Sequence, residues 1–157
     1  MEINIREWER KDLIEIQAKW LEFCRTAARS DMQLKRGADD VMLRWLTERF
    51  KYGSSIGYVA AEDQKMTGFL IGRVDDWESV PPVIESRRIG IIDAVYVAEE
   101  CRRHGIARQL IQRAIQKMQE SNVVAVETTY QLGNEASAQT WHRAGFAPWM
   151  VYAYRML

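Results

Sequence analysis

One strand–helix–strand segment constrains the fold of this chain more than any other. IGIIDAVYV at 89–97 is almost entirely apolar and rich in β-branched residues, as a strand buried on both faces is, and VVAVETTY at 123–130 is a second candidate for a buried strand. Between them, residues 106–118 place an apolar stripe on one face of a helix, formed by Ala107, Leu110, Ile111, Ala114 and Met118. A strand, a crossover helix and a second strand predict a right-handed βαβ unit with parallel strands.

The remaining segments extend this unit into a mixed sheet. The hairpin pattern SIGYVAAED–MTGFLIGRV predicts two antiparallel strands before the βαβ unit. We expect one α/β domain over residues 1–157, with a mostly antiparallel sheet of six to seven strands, a central parallel pair and helices on both faces. The other predicted elements are strand 3–8, helices 12–24 and 38–50, a helix within 134–146, and a strand over 147–157.

Composition limits the classes of partner. Lysine plus arginine and aspartate plus glutamate both total 22, so the balance favours neither nucleic acid nor an anionic membrane as a partner. Two distant cysteines and two histidines predict neither a disulfide framework nor a metal site. The charged start MEINIREWERK is unlike a signal peptide, and no apolar run approaches about 18 residues. The expected compartment is the cytoplasm.

Charge is concentrated in one place, at the junction between strand 89–97 and helix 106–118. From Arg102 to Lys117 the chain carries four arginines, one lysine, one histidine and no acid. Gly105 stands at the helix entrance, where free N–H groups and the helix dipole attract anions. The pattern therefore predicts a phosphate site. The alternative is a solvated run of charge at a helix start.

Two motifs in this region resemble signatures of the GNAT superfamily of N-acetyltransferases. Arg102, Gly105 and Ala107 resemble its pyrophosphate-binding signature R/Q-x-x-G-x-G/A, between a strand and a helix as that family has it. Downstream, NEASAQTWHRAGF at 134–146 resembles the second signature, N-x-x-A-x-x-x-Y-x-x-x-G-F. The N-terminal IREWERKDLIEI is also similar to the first strand and helix of that family, so the resemblance spans nearly the whole chain.

The resemblance implies an enzyme that moves an acetyl group from acetyl-CoA directly to a primary amine of a small molecule, without a metal. The acceptor could instead be a protein or peptide amine, or the chain could be a non-catalytic acyl-CoA-binding module. A homodimer is compatible with the family. Acetyl-CoA would lie between strands 89–97 and 123–130, and the backbone N–H of Val97 would polarise the thioester carbonyl. The implied coenzyme-binding residues are Val95, Tyr96, Val97, Arg102, Arg103, His104, Gly105, Ile106, Ala107, Arg108, Asn134, Ser137 and Trp141.

Proton transfer is where the sequence departs from the family pattern. Trp141 stands where the family has its tyrosine general acid, and an indole cannot give up a proton at a useful pKa. The remaining sources of a proton are water, Tyr130 or His142. Asp93 interrupts an apolar strand and is the best candidate for the general base, with Glu127 as the next. Alternatively, Asp93 is a structural aspartate.

We expect the acceptor site at the first two helices, their connecting loop and the insert DDWESVPPVIESRR. These segments carry several acids beside tryptophan, a combination that can hold a cationic amine. The alternative is that the acids belong to solvated loops. The acids are Asp31, Asp39, Asp40, Asp75, Asp76, Glu78 and Glu85.

Overall fold

The computed structural model describes residues 2–27, 32–153 and 155–157. Short 3-10 turns at Arg10–Asp12 and Glu99–Cys101 lead towards the first and third helices. Each predicted helix is present, with ends that shift by a few residues. In chain order the elements are β1 (Asn4–Glu7), α1 (Leu13–Ala27), α2 (Ala38–Lys51), β2 (Ser55–Glu62), β3 (Lys65–Trp77), β4 (Arg87–Val97), α3 (Ile106–Gln119), β5 (Ala125–Thr128) and α4 (Glu135–Arg143).

The strands form one sheet in the order β1-β2-β3-β4-β5. The three pairings from β1 to β4 are antiparallel, and that of β2 with β3 is the predicted hairpin. β4 and β5 are parallel and α3 connects them, so the predicted βαβ unit is confirmed. The sheet is therefore mixed, but the expectation of a central parallel pair is wrong, because β5 has no further strand beside it among the described residues and the pair lies at the β5 edge.

The expected count of six to seven strands is wrong. The sheet has five strands within the part of the chain that the structure describes, and none lies in 147–153 or 155–157. Strand propensity reflects a fit to a half-buried pleated surface rather than a backbone preference. The C-terminal segment lacks that surface: Trp149, Met150, Val151 and Tyr152 are each more than 60% exposed, and none pairs with the short β5.

Helices cover both faces of the sheet, as expected. On one face α1 and α2 pack Leu13, Ile16 and Leu46 against β2 and β3. On the other face α3 and α4 pack against the side chains that alternate with those in the same strands. The second cluster includes Tyr58, Ala60, Leu70, Ile92, Ile106, Leu110, Ile111, Ala114, Met118 and Trp141.

A β-bulge lies at Asp93 in the middle of β4. Ile92 pairs with Gly72 and Ala94 pairs with Ile71, so Asp93 is the extra residue that faces no partner on β3. Strict alternation would put Asp93 on the same face as Val95. This expectation is wrong, because the bulge shifts the alternation by one residue. Asp93 contacts Arg73 on the α1 face, whereas Val95 packs into the α3 cluster.

Three further observations concern the cysteines, the side chains that can bind metals, and the lengths of the helices. Cys24 and Cys101 are both free thiols, and burial raises the pKa of the Cys24 thiol. In the ranges that the structure describes, His, Cys, Asp and Glu side chains nowhere form a group of three suited to a metal ion. Across those same ranges, every helix is too short or too polar to cross a membrane.

An ion pair between Arg6 and Asp12 connects β1 to the start of α1. The Arg6 guanidinium donates to both oxygens of Asp12 at 2.7 and 2.8 Å, and the Glu9 backbone N–H donates to Asp12 Oδ2 at 2.7 Å. Burial alone would raise the pKa of the Asp12 carboxyl, but these hydrogen bonds and the Arg6 charge outweigh burial and hold the pKa below its usual value. Asp12 is 6% exposed, whereas the Arg6 side chain is 30% exposed, so the pair is partly buried.

We expect Asp12→Asn to lower the free energy of unfolding by about 2 kcal/mol at neutral pH, because it leaves the Arg6 charge without its partner. Since the folded-state pKa is depressed, the stabilisation is complete above the unfolded value of about 4 and is lost as the pH falls through the folded-state pKa. Urea unfolding of both proteins between acidic and neutral pH measures this difference. Glu9→Gln is the control, because Glu9 is exposed and lies 3.7 Å from Arg6. Equal losses at every pH would contradict the linkage.

Candidate active site

The loop that enters α3 exposes a row of free backbone donors. Arg103 and Gly105 have left-handed φ angles of 66° and 76°, a geometry that turns successive N–H groups to one side. The N–H groups of 103–108 donate to no backbone carbonyl among the described residues. Ile106 is 1% exposed and anchors the loop in the core, so its backbone is held in place. This loop can bind an anion such as phosphate.

The side chains of this loop are arranged around that opening. The side chains of Arg103 and Arg108 are exposed, and Arg102 Nε donates to the Val97 carbonyl at 3.2 Å. His104 Nδ1 lies 3.3 Å from the Cys101 carbonyl oxygen, which fixes the turn. The structure therefore places all the predicted phosphate-loop residues, 102–108, in one turn at the start of α3.

A cleft opens beside this loop, where β4 and β5 separate. The two strands pair only from Ile89 to Ile92. Thr128 Oγ1 donates to the Ile92 carbonyl at 3.1 Å, at the point of separation. Beyond it lies a cleft of about 210 Å³. Its lining residues are Trp20, Phe23, Phe69, Asp93, Ala94, Val95, Tyr96, Thr128, Thr129, Tyr130, Gln131, Asn134, Ser137 and Trp141.

The second half of β4 offers its backbone to this cleft. The Ala98 N–H donates to the Thr67 carbonyl at 2.8 Å, so Ala98 faces the β3 side. Because backbone groups alternate along a strand, those of Val95 and Val97 face the opposite, β5 side. No β5 residue pairs with them there. This is the orientation that a bound amide or thioester would need for backbone hydrogen bonds.

Helix α4 forms the wall opposite β4. Asn134 caps it, and its Oδ1 accepts a hydrogen bond from the Ser137 N–H at 3.1 Å. The helix ends in a Schellman motif: the Gly145 N–H donates to the His142 carbonyl, and the Phe146 N–H donates to the Trp141 carbonyl, both at 3.0 Å. The sequence signature at 134–146 therefore specifies a helix with both ends capped.

Trp141 is both a core residue and a wall of the cleft. It is 7% exposed, and its ring meets the Phe146 ring edge to face at 5.1 Å, the apolar contact that accompanies a Schellman motif. It also lines the cleft. The indole N–H donates to no acceptor among the described residues.

Asp93 is the acid that the structure brings to the cleft. Its Oδ1 accepts a hydrogen bond from Arg73, whereas its Oδ2 is buried and bonds to no described residue. Glu127 does not line the cleft, and His142 is exposed on the outer side of α4. Tyr130 does line it, two residues beyond the end of β5. Of the proposed acid and base residues, Asp93 and Tyr130 thus both line the cleft.

Sequence reasoning missed several cleft residues. Trp20, Phe23 and Phe69 line the cleft, and no motif in the sequence points to them. The structural alternative for Asp93 includes an arginine partner, and that partner is Arg73, which no motif singles out. The only sequence signal for it is a single charge in the apolar strand MTGFLIGRV.

Several acids of the expected acceptor loops pair with arginines outside the cleft. Asp76 pairs with Arg88 at 3.4 Å, and the Arg87 guanidinium lies 4.7 Å from the Trp77 ring centroid. Asp39 accepts from Arg25 at 3.2 Å. None of the acids in the insert lines the cleft, which supports the solvated-loop interpretation. Asp31 lies outside the described residues.

A second, larger groove of about 380 Å³ runs along β1 and α3. Its lining consists of amide, aliphatic and arginine side chains and contains no acid, thiol or imidazole. Of these two cavities, only the β4–β5 cleft therefore has a carboxylate and a phenol in its lining. The groove is lined by Ile3, Asn4, Ile5, Gln109, Gln112, Arg113 and Gln116.

Solved structures with the same fold include two aminoglycoside acetyltransferases. AAC(6')-Iy in complex with CoA is 17% identical, with a TM-score of 0.77 over 99% of this chain and 95% of that one. The enzyme AAC(6')-IG from Acinetobacter haemolyticus is 20% identical, with a TM-score of 0.71 over 98% and 99%. A transcriptional regulator from Bacillus halodurans is 17% identical, with a TM-score of 0.78 over 99% and 100%. At these identities the likeness is one of fold.

Comparison of the sequence identifies the family more specifically than the shared fold does. A search among curated proteins found no match. The profile of the Acetyltransferase (GNAT) family, however, matches residues 10–146. That span includes both motifs, the cleft between β4 and β5, and the loop that enters α3. Because the profile covers most of the chain, this protein belongs to the GNAT family of acetyltransferases.

Proposed function

We propose that this protein transfers an acetyl group from acetyl-CoA directly to a primary amine of a small molecule. One observation carries the proposal: β4 leads to the free backbone donors before α3, and it also places in the lining of the cleft an aspartate with one carboxylate oxygen that bonds to no described residue. The first suits the phosphates of a coenzyme, and the second suits the proton of an amine. The CoA complex of a structural neighbour is consistent with the same donor.

The coenzyme half of the proposal rests on the loop and α4. Residues 102–108 would bind the pyrophosphate through N–H groups and arginine side chains. Val95, Tyr96 and Val97 would align the pantetheine arm along β4. Asn134, Ser137 and Trp141 would close the opposite side, since all three line the cleft.

Acetyl-CoA would supply an activated thioester carbonyl and a thiolate leaving group. Asp93 Oδ2 would take a proton from the amine, whose ordinary pKa of about 10 leaves it charged near neutral pH. The Val97 N–H would donate to the carbonyl oxygen as negative charge develops there. In the transfer a C–N bond forms and the C–S bond breaks, and the leaving sulfur takes its proton from Tyr130 or from water.

A non-catalytic acyl-CoA-binding module is the second candidate, because Trp141 replaces the tyrosine of the family pattern. Release of free thiol from acetyl-CoA across a panel of amines separates the two. The proposed enzyme gives amine-dependent thiol release. Tight acetyl-CoA binding in calorimetry, with no release for any small amine or lysine peptide, would favour the module. Release with lysine peptides alone would favour a protein acceptor.

We expect Tyr130→Phe to lower kcat about threefold to tenfold, less than loss of the base does, because a thiol of pKa about 8.5 leaves readily without a proton donor. Steady-state rates of thiol release measure this. Tyr152→Phe is the matched control, since Tyr152 is 97% exposed and does not line the cleft. Identical kcat values for Tyr130→Phe and the control would assign the proton to water.

A further inference from the structure

We propose that the acceptor is a primary monoamine attached to an apolar, preferably aromatic, body, and not a polycation. This inference rests on the proposed function and specifies its substrate class. It depends on two independent observations: the aromatic lining of one end of the cleft, and the small number of negative charges there.

The end of the cleft beside Asp93 is lined by aromatic side chains from three elements. The Phe69 and Tyr96 rings stack at 5.4 Å with an interplanar angle of 16°, and the Trp20 ring lies 6.1 Å from Phe69. Phe23, three residues after Trp20 on α1, is 48% exposed at the rim. Phe69 is fully buried behind this wall, whereas Trp20, Tyr96 and Phe23 are partly exposed and offer an apolar surface that favours an aryl or alkyl group over a sugar.

The position of this wall follows from the bulge at Asp93. Ala94 and Tyr96 lie on the α1 face after the bulge, and Asp93 meets Arg73 on that same face. The carboxylate and the aromatic rings therefore share one side of the sheet. Val95 and Val97 pack into the cluster on the other face, beside the coenzyme loop. An amine bound near Asp93 Oδ2 would thus have its remaining atoms against the rings.

The same end of the cleft offers a single carboxylate. Asp93 is the only acid among the described residues that line it, and Arg73 already occupies one of its oxygens. Lys19 Nζ, which pairs with Glu15, lies 5.9 Å from the Tyr96 ring centroid. A second or third ammonium group would therefore find no acid in the lining and would approach an existing cation.

Two acids on the elements that contribute to this wall are already paired with cations. Glu15 pairs with Lys19 at 3.4 Å, and Asp75 lies 3.6 Å from Arg73 Nε. A site for a polyamine or an aminoglycoside needs one acceptor group for each buried ammonium. The cleft meets this need for one amine.

The first experiment compares acceptors on the unmodified protein. Thiol release from acetyl-CoA is measured with 2-phenylethylamine, ethylamine, spermidine and tobramycin. We expect kcat/KM for 2-phenylethylamine to exceed that for spermidine or tobramycin by about 100-fold, as expected where a buried charge has no partner. A preference for either polycation would overturn the inference and leave the proposed acetyl transfer intact. No release with any of the four amines would overturn both.

The second experiment tests the aromatic wall. Phe23→Ala should raise KM for 2-phenylethylamine about fivefold, with little change in kcat, because it removes binding common to the ground and transition states. It should leave ethylamine kinetics unchanged, since the ethyl group is too small to contact Phe23. Ile14→Ala is the matched control: Ile14 is on the same helix, is 67% exposed and lies outside the cleft. Equal effects on both amines, or equal effects of both variants, would contradict the assignment.

Discussion

Asp93→Asn is expected to lower kcat/KM about 100-fold near neutral pH, the lower end of what a general base contributes. The reason is that the two oxygens of the Asp93 carboxylate differ in their hydrogen bonding. Arg73 holds Oδ1, and Oδ2 is buried without a described partner at the wall of the cleft. An asparagine keeps the shape and can still accept from Arg73, but it cannot take a proton. The loss should therefore fall on turnover and leave acetyl-CoA affinity unchanged.

The pH dependence makes this prediction specific. The loss should shrink as the pH rises towards about 10, where the amine loses its proton without help. Asp76→Asn is the matched control: it removes another arginine-paired carboxylate from the same hairpin, at an exposed position outside the cleft. Rates of thiol release between acidic and alkaline pH measure both. A loss that is constant across this range would make Asp93 structural.

Much of the coenzyme side could be predicted because its signals are local. The phosphate loop needs a strand end, a glycine that tolerates a left-handed φ and a helix start, and these are consecutive in the chain. The same holds for α4, whose Asn134 cap and Gly145 stop are both within one segment. Apolar spacing of 3.6 residues located every helix, because each has one buried face.

The acceptor side could not be predicted because its contacts join distant parts of the chain. Arg73 and Asp93 are twenty residues apart, and the bulge that brings them together is a property of strand register. The residue type at position 93 does not by itself predict a bulge. The aromatic wall likewise needs α1 to cross β3 and β4, which depends on how the first face of the sheet is packed.

The C-terminal segment shows a third limit on predicting the fold from sequence alone. APWMVYAYRML has the residues of a strand, yet these residues form one only when a sheet edge is available. β5 is four residues long, and β4 and β5 have already parted beyond Thr128. The separation of the strands that creates the cleft therefore also shortens the edge on which a sixth strand would depend.

Gly105→Glu is expected to raise the Kd for acetyl-CoA at least about 30-fold, equivalent to about 2 kcal/mol. Gly105 is the N-cap of α3 with φ of 76°, and a Cβ built there meets nothing within 4 Å. A glutamate can therefore be accommodated, but its charge would stand among the donors that we assign to the pyrophosphate. Calorimetric titration with acetyl-CoA measures the change.

Gly37→Glu separates charge at the phosphate loop from strain at a helix start. Gly37 is the N-cap of α2 with φ of 73°, and its Cβ position is equally open, so the conformational cost of the substitution is matched. Both variants should lose about 1 kcal/mol of stability for a left-handed non-glycine residue. Only Gly105→Glu should lose coenzyme affinity. If both variants bound acetyl-CoA equally well, the turn before α3 would be an ordinary exposed helix start, and the coenzyme phosphates would have to lie elsewhere.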